Sequence, residues 1–119
     1  MSEATVEQPP SQNSVVLCGR LTSAPLEREL PSGDRILTFR LSMPRSRTTM
    51  TAKSKQNADW VDCVAWSGRT RRTASRWRVG DLVEIEGALR RRFFRAGQES
   101  TTRVEVEVLA ARAVRRPGG

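Results

Sequence analysis

Between Asn13 and Ala111 the chain alternates apolar and polar residues in segment after segment, and two stretches, Pro44–Ala58 and Thr70–Val79, break that period. A period of two sends successive side chains to opposite faces of a strand, so such segments fold as sheet with one buried and one wet face. Arg35–Met43 places Leu37, Phe39, Leu41 and Met43 on one parity and Thr38, Arg40 and Ser42 on the other. In Asp59–Trp66, Val61, Cys63 and Ala65 alternate with Trp60, Asp62, Val64 and Trp66. Asp81–Phe94 keeps Val83, Ile85, Gly87 and Leu89 in phase against Glu84 and Glu86. Thr101–Ala111 returns with Val104, Val106 and Val108 against Arg103, Glu105 and Glu107.

The run NSVVLCGRL from Asn13 supplies a further strand, and Gly19 within it signals a bulge or a close backbone approach. Ala24-Pro25 and Pro31–Asp34 are turn signals around a short segment, Leu26–Leu30. Pro44–Ala58 has no apolar period and four basic residues, and reads as a long, mobile, positive loop with a function of its own. The one helix-like stretch is Thr70–Val79, with Gly80 placed to end it. The order strand, strand, strand, helix, strand, strand predicts an all-β fold with one short helix, the five-stranded OB-fold Greek-key barrel, although other small barrels share much of this layout. One domain over residues 13–112 suits a chain of 119 residues. Residues 1–12 read as a disordered leader and 113–119 as a short basic tail.

Composition narrows the chemistry. Histidine and tyrosine are absent, which removes Ser-His-Asp and Cys-His catalysis and any histidine-containing zinc site. No catalytic residue, metal or cofactor is expected. Asp59, Asp62 and Asp81 match no familiar nuclease spacing. Cys18 and Cys63 each lie in an apolar run without CxxC spacing, so two buried thiols in a reducing compartment are expected rather than a disulfide. No segment resembles a signal peptide or a membrane span. The expected setting is cytoplasmic and nucleoid-associated. There are 21 Lys and Arg against 13 Asp and Glu, a net charge of +8, and only Lys53 and Lys55 are lysines. Such a chain favours polyanionic partners, nucleic acid first.

Trp60 and Trp66 share a parity opposite to Val61, Cys63 and Ala65, so both indoles project from one face. Were that face the core, Asp62 would be buried with them, at a cost unless paired. A subunit interface is a second use for either ring. Facing water, indoles stack on unpaired nucleobases with little sequence preference. Basic residues surround them. Arg40 lies on the wet side of the second strand; Arg45, Arg47, Lys53 and Lys55 occupy the long loop; Arg69, Arg71 and Arg72 follow Trp66. Arg90 and Arg92 share their parity with Phe94 and continue the wet face. Phosphate neutralisation beside base stacking is the pattern of single-strand binding. Trp77, with Ala74 and Val79, is expected to plug the barrel end.

NSVVLCGRL, PSGDRILTFRLSM, DWVDCVAWSGR and GDLVEIEGALRRRFF, in that order, resemble successive blocks of the bacterial single-stranded DNA-binding proteins, over Asn13 to about Ala111. The resemblance implies an OB-fold without catalysis or metal that binds single-stranded DNA in replication, recombination and repair. It implies a homotetramer, with a dimer as the other open state. It places base stacking at Trp60, Trp66 and Phe94, and phosphate contacts at Arg69, Arg90 and Arg92. Three features depart from it. Arg47 falls near a position that often bears an aromatic, and Asp62 sits between the tryptophans where a cation would suit DNA better. Typical members carry a long tail with acidic residues at its end, whereas no acid follows Glu107 here. No recruitment of repair enzymes by an acidic tail is therefore expected, as in a specialised, plasmid or phage form. The rival expectations are a primosome-like adaptor with weak DNA binding and an RNA-binding OB domain.

Overall fold

Backbone hydrogen bonds close the sheet into a ring. The structure, a computed structural model, describes residues 11–115. Its elements are β1 (Val15–Leu21), β2 (Leu26–Glu29), β3 (Arg35–Pro44), β4 (Ala58–Ala65), α1 (Gly68–Ser75), β5 (Leu82–Ala96) and β6 (Glu99–Arg115). The sheet order is β1-β5-β6-β4-β3-β2, and β3 returns to β1 through the pairs Arg20–Ser42 and Leu21–Leu41. Five strands thus form a closed barrel, with β2 attached to β3 outside the ring. Every pairing is antiparallel except β4 with β6. This is the OB-fold. The leader expected over 1–12 falls outside the described residues apart from 11 and 12. Of the tail expected over 113–119, residues 113–115 belong to β6, with Ala113 facing Val83 and Arg115 facing Leu82, and the rest fall outside the described residues.

Two elements differ from the sequence expectation. Leu26–Glu29 is a strand, with Leu26 facing Thr38 and Glu29 facing Arg35 across the ladder. All four of its residues are exposed, so backbone pairing alone defines it and no apolar alternation could reveal it. The helix begins and ends earlier than Thr70–Val79. Ser67 caps it by accepting a hydrogen bond from the Thr70 N–H, and its last residue is Ser75. A separate turn follows: the Asp81 N–H donates to the Arg78 carbonyl at 3.0 Å and the Arg78 N–H to the Asp81 carboxylate at 2.8 Å. Gly80 supplies the φ of 89° it needs, so Gly80 closes this turn and not the helix. Trp77 enters the core from this turn, edge-on to Phe39 with 5.3 Å between ring centroids.

The core joins Leu21, Leu37, Phe39, Leu41, Cys63, Ala65, Ala74, Trp77, Val83, Ile85, Val106 and Val108. Leu89 and Val104, expected there too, are about half exposed. Both keep the inward parity, but at these positions the β5–β6 ribbon has run past the barrel rim, and inward no longer means covered. Asn13 marks that rim: its side-chain amide donates to the Leu89 carbonyl and accepts from the Leu89 N–H. Cys18 also differs from expectation. It projects outward from β1, whose inward residues are Leu17, Gly19 and Leu21, and is exposed, while Cys63 is buried. Both thiols are free.

Strand β6 serves two neighbours, and bulges let it do so. Glu86 pairs with Ala110 and Gly87 with Val108, which leaves Leu109 as an extra residue on β6. A bulge bends and twists its ribbon, here where the barrel must close. At the same place a Cβ built on Gly87 would collide with the backbone carbonyl of Glu107. Backbone cannot rotate away as a side chain can. Gly87→Ala is therefore expected to destabilise the fold by about 3 kcal/mol, read as a lowered midpoint in thermal and urea unfolding. An unchanged midpoint would show that the ribbon relaxes freely at this contact.

Candidate nucleic-acid interface

The outward side of β4 is built by exclusion. The interior takes the small side chains Cys63 and Ala65; of the alternate positions, Trp60 and Trp66 reach the surface, and Val64 between them is covered. Trp60 is accordingly 57% exposed and Trp66 37%, whereas Cys63 is 1% exposed. The neighbouring strand β3 sets Arg40 directly opposite Asp62. The Arg40 guanidinium makes a two-pronged contact with the carboxylate: Nε donates to Oδ1 at 2.9 Å and Nη2 to Oδ2 at 3.4 Å. The same guanidinium carbon lies 3.9 Å from the Trp60 ring centroid. Arg40 is thus held by a charge on one side and stacked on an indole on the other.

The β5–β6 ribbon presents a second group of the same kind. Arg92 stands opposite Arg103 in the ladder, and Phe94 is two residues further on. The guanidinium carbons of Arg92 and Arg103 lie 4.9 and 4.8 Å from the Phe94 ring centroid. Arg92 Nε approaches Glu105 Oε1 to 2.7 Å as an ion pair, although off the axis of a hydrogen bond, so both atoms remain unsatisfied among the described residues. Glu105 itself is buried. Alongside, Arg90 Nε donates to Glu107 Oε1 at 2.9 Å.

These groups share one surface. A groove of about 600 Å³ is lined in part by Arg40, Asp62, Arg92, Phe94, Arg103 and Glu105. A smaller concavity places Trp60 beside Arg40, Asp62 and Arg103, and another places Trp66 beside Arg90, Arg92 and Glu107. The face therefore combines three aromatic rings with four guanidinium groups. Flat rings beside cations can stack bases and pair with phosphates.

Other basic residues named from the sequence lie elsewhere. Arg45 is tied to Asp59 at 3.1 Å and is largely covered. Arg47 and Lys55 line a separate small hollow formed by the loop itself, with Lys53 exposed on the same loop. That loop carries internal hydrogen bonds, among them Thr51 Oγ1 to the Ser46 carbonyl and the Ala52 N–H to the Thr48 carbonyl. Arg71 donates to the Trp66 carbonyl and comes within 3.9 Å of Glu27, which fastens the helix start to β2. Arg69 and Arg72 are exposed on α1 and line none of the three grooves just described. Arg103 is a site residue that sequence reasoning passed over. Its parity with Glu105 and Glu107 was visible, but its position opposite Arg92 follows only from the hairpin register.

Comparison with known proteins identifies the class to which this arrangement belongs. The model of the single-strand binding protein family matches residues 12–115. A single-stranded DNA-binding protein of Bacillus cereus is 33% identical over 98 residues, covering 82% of this chain and 56% of that protein. Single-stranded DNA-binding protein A of Bacillus subtilis is 35% identical over 80 residues, covering 67% of this chain and 45% of that protein. A solved structure described as a Plasmodium falciparum SSB complex with ssDNA superposes with a TM-score of 0.71 at 21% identity, covering 92% of this chain and 98% of that one. The chain belongs to the single-strand binding protein family. It spans about half the length of the bacterial relatives it matches.

The site also sets the chemistry of Cys63, directly behind it. Burial first, and then the nearby charges of Asp62 and Glu105, push its thiol from an ordinary 9.0 up to about 12. A thiol reagent at pH 8 is expected to modify Cys18 rapidly and Cys63 only on unfolding, counted as one fast and one slow equivalent. Because the folded value is raised, the stability contributed by the neutral thiol is complete below pH 9 and is lost as pH rises toward 12. Two fast equivalents in the native protein would contradict the placement of Cys63.

Proposed function

We propose that this face binds single-stranded DNA without sequence preference and protects exposed strands, with no catalytic step, metal or cofactor. The observation that carries the reading is the pair of exposed indoles, Trp60 and Trp66, set among Arg40, Arg90, Arg92 and Arg103 on a single side of the barrel. Bases within a duplex are already stacked on one another and cannot reach such rings, so the partner is an unpaired strand. Membership of the family supports this, as do the names of the bacterial relatives. Phe94 adds a third ring to the lining of the groove. The outlying cations Arg45, Arg47, Lys53, Lys55, Arg69, Arg71 and Arg72 act mainly through their summed charge.

Service in replication, recombination or repair, in a cytoplasmic, nucleoid-associated setting, follows as part of the same proposal. Among the described residues no helix is long and apolar enough to cross a membrane. A homotetramer is proposed as the working form. Val16, Leu89, Val104 and Leu109 leave apolar surface exposed on a single copy, and association would cover it.

Titration with oligo-dT tests the reading directly. Tryptophan emission should be quenched on binding, with Trp77, buried in the core, as an unresponsive background. Each stacked base contributes roughly 1–3 kcal/mol, so Trp60→Ala with Trp66→Ala should weaken binding by about a hundredfold or more. Affinity should also fall with salt, at roughly 0.7 logarithmic units per neutralised phosphate for each tenfold rise. Undiminished affinity in a folded double variant would refute the stacking face.

A further inference from the structure

Three of the four arginines of this face are already paired with carboxylates. Arg40 is paired with Asp62, Arg92 with Glu105 and Arg90 with Glu107, at 2.9, 2.7 and 2.9 Å between the closest atoms. Two of the three also cover a ring: Arg40 lies over Trp60 and Arg92 over Phe94. The two carboxylates at the centre come from adjacent strands. Asp62 precedes Cys63 on β4, Glu105 precedes Val106 on β6, and Cys63 and Val106 are partners in the parallel ladder. The charges therefore run plus, minus, minus, plus across β3, β4, β6 and β5. A strand of nucleic acid brings phosphates to arginines that hold carboxylates, and bases to rings that hold guanidiniums.

We propose that Asp62 and Glu107, the two of these acids that solvent reaches, stand in for phosphate on the unoccupied face, so that strand entry is an anion exchange. The inference rests on the single-stranded DNA reading given above. A phosphate takes the guanidinium from the carboxylate, and at Arg40 the guanidinium leaves the Trp60 ring open as it moves. One exchange thus does two things: it pairs the backbone and uncovers the platform for a base. The carboxylates are positioning residues, since they act through the arginines rather than on the strand. Each freed carboxylate recruits a cation from solution, which offsets part of the counterion release that phosphate neutralisation brings. The acids consequently lower affinity and flatten its dependence on salt.

Asp62→Asn in the 119-residue chain is the test, with Asp62→Glu as the charge-preserving control. Asp62 is part-exposed and its amide replacement keeps the shape, so folding is checked simply by the unfolding midpoint. Glu107→Gln repeats the test at an independent pair should that midpoint fall. Binding of fluorescent oligo-dT is measured over a series of salt concentrations. Asp62→Asn should bind roughly three- to fivefold more tightly at low salt. Its salt slope should steepen by about 0.7, the value for one additional net phosphate contact. Asp62→Glu keeps the charge and should keep the parent's salt slope. A folded amide variant with unchanged or weaker affinity and an unchanged slope, on a parent that binds, would overturn the exchange while leaving the DNA reading intact. Parent and variants that all fail to bind oligo-dT would overturn both.

Discussion

Interior volume is the constraint on which the rest of this molecule depends. A five-stranded barrel has a narrow inside, and here Phe39, Leu41, Ile85 and the edge of Trp77 occupy it. Where β4 crosses that space it contributes Cys63 and Ala65, with Val61 packed against them at the edge, and the interior is filled without a further indole. Trp60 and Trp66, on the alternate positions of this segment, therefore lie outside, while Val64 between them is covered. Stability and function meet at this point. The thiol and methyl groups that complete the packing are the reason two tryptophans remain available to solvent.

That constraint was legible in the residues themselves. Leu37, Phe39 and Leu41 against Arg40, and Cys63 and Ala65 against Trp60 and Trp66, specify the orientation of two strands without coordinates. Parity carries no information about where a barrel ends, and this is why Leu89 and Val104 read as core and proved to be rim. It is equally blind to a strand defined only by backbone pairing, as β2 is. Cys18 shows the converse failure: an apolar neighbourhood in sequence mixed both faces of β1, and the thiol belonged to the outer one. Of the candidate site, Trp60, Trp66, Arg40, Arg90, Arg92 and Phe94 were reachable by counting in twos. Arg103 was not, because it joins them only through the register of the β5–β6 hairpin, and register is a property of two strands.

Asp62 changes meaning between the two levels of description. In the sequence it interrupts a pair of tryptophans and looks unfavourable for a polyanion. In the structure it organises Arg40, which would otherwise be a long side chain with many rotamers above an exposed ring. The contribution of such a pair to stability is small, roughly 0–1 kcal/mol where solvent reaches it. Its effect on geometry is larger, since a two-pronged contact fixes the guanidinium plane. Arg92 and Glu105 repeat the arrangement under a deeper cover. There the buried carboxylate ties the pair to the fold more firmly, because removing either partner strands the other charge.

Charge is distributed unevenly as a consequence. At the centre of the proposed face four arginines, Arg40, Arg90, Arg92 and Arg103, are nearly balanced by Asp62, Glu105 and Glu107. The excess that makes the whole chain +8 lies around that centre, on the 45–57 loop, on α1 and on the exposed side of the β5–β6 ribbon. Long-range attraction follows summed charge and is screened over about 8 Å at physiological salt. The surround therefore governs approach, while the balanced centre adds little pull of its own. What the centre contributes is contact: rings for bases, and guanidiniums that can exchange one anion for another. A strand captured by the periphery then competes with the acids for the same arginines, and occupancy is decided at that competition rather than by electrostatic attraction alone.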